Sequence, residues 1–190
     1  HRAHAAALCG FATIPAMVAL VAPEEQALAF IDINTRQIRV SVHQVYRAAL
    51  TAGEPWAVQC CEAVQAAGCQ LMTRNNVPKD DKLAGQVFAV GLIRKLVDSG
   101  HSKAVTEGLA ALLDYDPDST LNFTDALLTP FLWACAENTG TRDDWLSSLK
   151  ARRPWAVIEA ADRLAAEDGR PKATTRREFF SVLMRRGVRA

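Results

Sequence analysis

The sequence predicts a mainly α protein in which a short α/β segment of about fifty residues precedes an all-α region. Two observations carry this. One is an apolar run, Ile14 to Val21, bounded by breakers and short enough to be a buried strand. The other is a series of apolar positions at helical spacing after residue 52, cut at intervals by Gly, Pro and polar loops.

The elements follow in order. Residues 2–9 are rich in Ala, the best helix former, and Gly10 is placed to cap that helix. Ile14–Val21 is the strand. Pro23 opens a second helix at its first position, with Glu24 and Glu25 near the positive end of the dipole and Ala27, Leu28, Phe30 and Ile31 on its apolar side. It fades near Asn34, and residues 36–40 are a connector or a short strand. Ser41 caps a helix running to about Ala52, with Val42, Val45, Tyr46 and Leu50 at helical spacing and Gly53 at its end.

Beyond residue 52 no strand pattern is evident. A helix starts near Pro55, carries Trp56, Val58, Cys61 and Val64, and stops at Gly68. Residues 75–81 are a polar loop. Residues 82–98 predict a strongly apolar helix with Leu83, Val87, Val90, Leu92 and Leu96, closed by Gly100. Helices are further expected over 102–113, over 124–137 with Pro130 inside, and over 143–149. Two more run over 154–166 from Pro154 and over 175–186. There is no internal repeat.

A chain of 190 residues with 49% hydrophobic content can build one core or two small ones. Net charge is +1, so the whole chain does not call for a polyanion, but the charge is unevenly placed. Residues 150–190 carry eleven Lys and Arg against five acids, a net of +6, which leaves −5 for the rest. That tail is either a phosphate-binding surface or a solvated helix face. No apolar run reaches the roughly 18–20 residues of a membrane span. The five cysteines, Cys9, Cys60, Cys61, Cys69 and Cys135, show no CxxC or Cys/His ligand spacing, which points to a reducing, cytoplasmic setting.

The sequence holds no P-loop, GxGxxG, HExxH or GxSxG pattern. His1 and His4, three apart on one helix, are a ligand spacing without a third ligand, so no metal site is expected. Asp80 and Asp81 read as solvated loop acids, and Asp143 and Asp144 as first-turn helix acids. Trp56, Trp133, Trp145 and Trp155 read as core or interface residues. No single stretch interleaves basic and aromatic residues as single-strand binders do. Residues 92–112 have a helix–Gly turn–helix rhythm. Two antiparallel core helices explain it at least as well as a DNA-reading pair, since Lys103, Thr106 and Glu107 are the only candidate base readers. Arg2, in the first turn of its helix beside free N–H groups, is placed to hold a phosphate.

Residues 1–52 resemble the second half of a ParB/sulfiredoxin-type domain. His1, Arg2, Ala5 and Ala6 match a Gly-x-(His/Arg)-Arg-x-x-Ala-Ala box, and Gly10, Ile14 and Pro15 match the turn and strand entry that follow it. Asn34-Thr35, Val40-Ser41 and Tyr46-Arg47-Ala48 are similar to a phage and actinobacterial branch whose box reads Asp-Gly-Gln-His-Arg. The long helical part of that branch resembles residues 53–190 in layout and in the closing Arg-Arg-Gly.

The resemblance implies a domain lacking its preceding strands, with residues 1–52 as the ParB-like part and 53–190 as a helical domain with a basic tail. It implies nucleotide phosphate contacts from His1, Arg2, Asn34 and Arg36, and a nucleoside triphosphate with Mg2+ in a longer chain. No cofactor is expected for the chain as it stands. Where the family often has an Arg three residues after the Asn, this chain has Gln37, flanked by Arg36 and Arg39.

The function expected is that of a DNA-associated protein of partition, phage replication or regulation, with nucleotide as a switch. Its DNA contacts would come from Arg176, Arg177, Arg185 and Arg186, and its partners are DNA and a second copy of the chain, with no membrane. Two alternatives stand beside it. One is a sulfiredoxin-like or nuclease-like enzyme, for which no catalytic residue can be assigned. The residue before the His-Arg pair would discriminate, Cys for sulfiredoxin chemistry and Gln, the expectation here, for the phage branch. The other is a helical protein-interaction module.

Overall fold

The computed structural model describes residues 2–13, 22, 25 and 40–187. The expected strand over 14–21, the helix from Pro23 and the connector over 36–39 lie outside the described residues, as do His1, Asn34 and Arg36. The chain divides into two compact units, His1–Arg39 and Val40–Ala190.

In the first unit, helix α1 spans Arg2–Leu8. It ends as its sequence predicts. The Phe11 N–H donates to the Ala6 carbonyl at 3.0 Å and the Gly10 N–H to Ala7 at 3.1 Å, which ties off two terminal carbonyls.

The second unit opens at Val40, so the helix Val42–Thr51 (α2) belongs to it and not to the ParB-like segment drawn through residue 52. The reason is packing. Tyr46 is fully buried and its ring lies 6.1 Å from that of Trp56, while the His43 Nε2 lies 3.0 Å from the Phe88 carbonyl oxygen. Ser41 starts α2 with a reciprocal cap. Its hydroxyl accepts from the Gln44 N–H at 3.3 Å, and the Gln44 side chain accepts from the Ser41 N–H at 2.8 Å.

Helix α3, Pro55–Gln65, follows with Pro at its first position. The chain then makes two short parallel strands that the sequence did not announce, β1 (Gln70–Leu71) and β2 (Gln86–Val87), with Leu71 opposite Val87. The helix expected over 82–98 is thereby shortened to α4, Val90–Asp98. Gly85, at φ +80°, turns the chain into β2, and Leu83 is left 66% exposed. The expected helix had counted Leu83 as one of its apolar positions.

Helix α5, Ser102–Tyr115, is reached through Gly100 at φ +81°. Then come α6 (Asp125–Glu137), α7 (Arg142–Ala151), α8 (Pro154–Glu167) and α9 (Lys172–Gly187). Pro130 stays inside α6 and is buried. Helix α5 is the centre of the unit and touches α3, α4, α6 and α7. Its Val105, Leu109, Ala111 and Leu112 are fully buried. Gly108 lets α6 approach closely there, because a Cβ at that position would stand 2.8 Å from the Leu132 side chain. Helix α9 closes the other half against α6, α7 and α8, with Phe180 edge-on to Phe131 at 5.8 Å. Among the described residues no helix is long and apolar enough to cross a membrane.

Candidate nucleic-acid interface

The α4–Gly100–α5 pair is a core element. Of its three candidate base readers, Thr106 donates its hydroxyl to the Ala63 carbonyl at 2.8 Å, and the Glu107 carboxylate accepts from the Arg142 N–H at 2.7 Å. Lys103 alone of the three is exposed. Helix α5 packs against four neighbours, and two of its three candidate readers are engaged within the unit.

Basic and aromatic side chains that are far apart in sequence meet elsewhere. Trp133 of α6 is half-buried. The Arg177 guanidinium of α9 lies over its indole at 4.5 Å, and the Lys95 ammonium of α4 lies 5.5 Å from the same ring. His101 approaches the ring edge-on at 6.4 Å. The residue beside Lys95, Arg94, lies over Trp56 at 4.0 Å. Two cation–aromatic clusters, Arg94 with Trp56, and Lys95 and Arg177 with Trp133, are thus joined by adjacent residues of α4 and together form the candidate face. It continues along α9 to the exposed Arg185, across a cavity of about 600 Å³ between α6 and α9.

Its acids are as well defined as its cations. Asp98 lies 3.5 Å from Arg94. Glu137 is held by Arg177, which donates to it, and by the Ser181 hydroxyl at 2.8 Å. The Arg177 hydrogen bond comes first in holding the Glu137 carboxyl below its ordinary range. Asn138 bridges the two helices. Its side-chain N–H donates to the Ala134 carbonyl at 2.7 Å and to the Ser181 hydroxyl at 3.3 Å, and its Oδ1 accepts from Arg185 at 3.3 Å. Arg94, Lys95, Arg177 and Arg185 against Asp98, Glu137 and Glu178, the last also lining the cavity, leave this face with net charge +1.

The four arginines expected to touch DNA are thus separated. Arg177 and Arg185 line the face. Arg176 turns to α8 and makes a two-pronged pair with Asp162, both bonds 2.7 Å, with its side chain 21% exposed. The Arg186 side chain lies outside the described part. At the other end of the chain Arg2 is the first residue of α1, and its side chain is likewise outside the described part. Trp56 and Trp133, read from sequence as core or interface residues, join the site together with Arg94 and Lys95, which sequence reasoning missed. The sequence signal for the two cations is the Arg94-Lys95 pair in a helix whose other charge is Asp98.

All five cysteines are free thiols. Among the described residues no three His, Cys, Asp or Glu side chains converge as a metal site would need. No family model, curated protein or solved structure matches this chain.

Proposed function

We propose that the chain is a ParB-like DNA-associated protein whose helical unit grips duplex DNA by its phosphates. The observation that carries this reading is the pair of cation–aromatic clusters, Arg94 on Trp56 and Lys95 with Arg177 on Trp133, the second adjoining the cavity lined by Arg185. The indoles serve there as platforms. An arginine stacked on an aromatic ring keeps its charge, loses less entropy when it meets a phosphate, and still offers N–H groups outward. Because Trp133 carries cations on its π-system, it is poorly placed to stack a base. The face therefore favours the sequence-independent backbone of a duplex over unpaired bases.

In the same reading His1, Arg2, Asn34 and Arg36 contact the phosphates of a nucleoside triphosphate with Mg2+ only in a longer chain that supplies the rest of that domain, and the protein works in the cytoplasm as a partition, replication or regulatory factor. Phosphate contacts of this kind release counterions, so affinity for a random duplex should fall with salt. Up to four contacts give a log–log slope of about −2 to −4. Fluorescence anisotropy over a salt series tests it. Absence of binding at low salt, or a slope near zero, overturns the proposal.

A further inference from the structure

A second cavity, of about 580 Å³, opens between α7, α8 and α9. Its walls are Ala151, Val157, Leu164, Phe179 and Leu183, and Val182 at its lip is 49% exposed. The one wall hydroxyl from the buried set, Ser148, already donates to the Asp144 carbonyl at 2.9 Å and asks nothing of an occupant. Apolar walls of this extent are left uncovered by the fold itself, and each Å² removed from water is worth about 25 cal/mol. The volume lies within the roughly 300–1,000 Å³ range of small-molecule sites.

The mouth is polar and its charges do not cancel. Arg170 and Glu178 satisfy each other, the guanidinium donating to both carboxylate oxygens at 2.7 Å. Arg152 also lines the cavity, is exposed, and has no ion-pair partner among the described residues. It sits where α7 ends, its backbone N–H donating to the Ser148 carbonyl at 3.2 Å. An apolar hole with one uncompensated guanidinium at the rim complements one class of molecule, a hydrocarbon body with a single carboxylate head. We infer that this cavity binds an amphipathic carboxylate, its chain between α8 and α9 and its head on Arg152.

The test uses the full chain and three probes of equal tail length: decanoate, decanol and decyltrimethylammonium. Methyl NMR spectra follow Val157, Leu164, Val182 and Leu183 during each titration. Decanoate should move these methyls and bind more tightly than decanol, and decyltrimethylammonium should bind most weakly. R152Q should weaken decanoate about fivefold, as loss of an exposed charge pair does, and leave decanol unchanged. V182D, at an exposed position, should abolish decanoate binding while the thermal midpoint stays near that of the parent chain. The inference is overturned if the methyls do not respond to decanoate, if the cation binds as well as the anion, or if R152Q changes neither or both of decanoate and decanol. It is also overturned if the same methyls shift with protein concentration alone, since the face would then be occupied by a second copy.

Discussion

Arg177 stacks on Trp133 at 4.5 Å, while its neighbour Arg176 turns the other way and clasps Asp162. Adjacent arginines of one helix therefore have separate work. R177A and R185A should each reduce the salt slope of DNA binding by about 1, with affinity falling evenly across sequences. R176A should leave the slope alone and lower the unfolding free energy by about 1–2 kcal/mol, because Asp162 loses its paired hydrogen bonds. Anisotropy and urea denaturation on the three variants separate the two roles. Loss of DNA binding in R176A alone would contradict this division.

Acid should loosen the molecule. Asp162 is held below its ordinary range first by its hydrogen bond with Arg176, Glu137 by that with Arg177, Asp114 by that with Arg142, and Asp144 by that with the Thr141 hydroxyl. Each carboxyl has a lower value folded than unfolded. Its contribution is thus complete above the unfolded value, about pH 4, and is lost as pH falls through the folded one. Urea midpoints measured from about pH 6 to about pH 2 should fall monotonically, and D162N should show a shallower fall. A flat profile in the parent chain would refute the assignment.

Two glycines are held by space rather than by backbone angle. A Cβ on Gly140 would stand 2.4 Å from Cη2 and 2.5 Å from Cζ2 of Trp145, a buried ring that cannot yield. On Gly108 it would meet Leu132 Cδ2 at 2.8 Å and Cys135 Sγ at 3.3 Å. Both alanine variants should be destabilised by about 1–3 kcal/mol, G140A the more, since an indole gives less readily than a leucine methyl. Chemical denaturation measures the order.

The thiols should react in sequence. Burial pushes Cys60 and Cys69 each up to about 11 and Cys135 well above its ordinary value, and all three are enclosed. Cys9 is exposed. Ellman's reagent at neutral pH should label Cys9 at once, and Cys60, Cys69 and Cys135 only after denaturation. Rapid native labelling of Cys135 would show that the α5–α6 contact opens.

Helices whose ends carry local chemistry were legible from the sequence. Ser41, Pro55 and Pro154 each start a helix where the sequence places one. The β1–β2 pair was not legible. Each strand is two residues long, and its pairing depends on a chain turned by Gly85 rather than on any alternating pattern. The same turn explains why Leu83 and Val87 read as apolar positions of a helix they do not belong to. The basic tail was visible as composition, but its division between Arg176 and Arg177 rests on which helix lies opposite each side chain. The aromatic half of the interface was hidden because Trp56, Arg94, Trp133 and Arg177 come from four helices, and no local window contains more than one such pair.

Helix α9 is the last described element, and it covers α6, α7 and α8 together. On the ribosome, Phe131 therefore waits without Phe180 until α9 has been made. Through that interval the apolar side of α6 is open to water and to any other nascent chain, so this half of the fold matures only once α9 has emerged. A translation pause or a nonsense codon ahead of residue 172 leaves a product with a sticky, half-built core, and clearing such products falls to the chaperones and proteases of the cell.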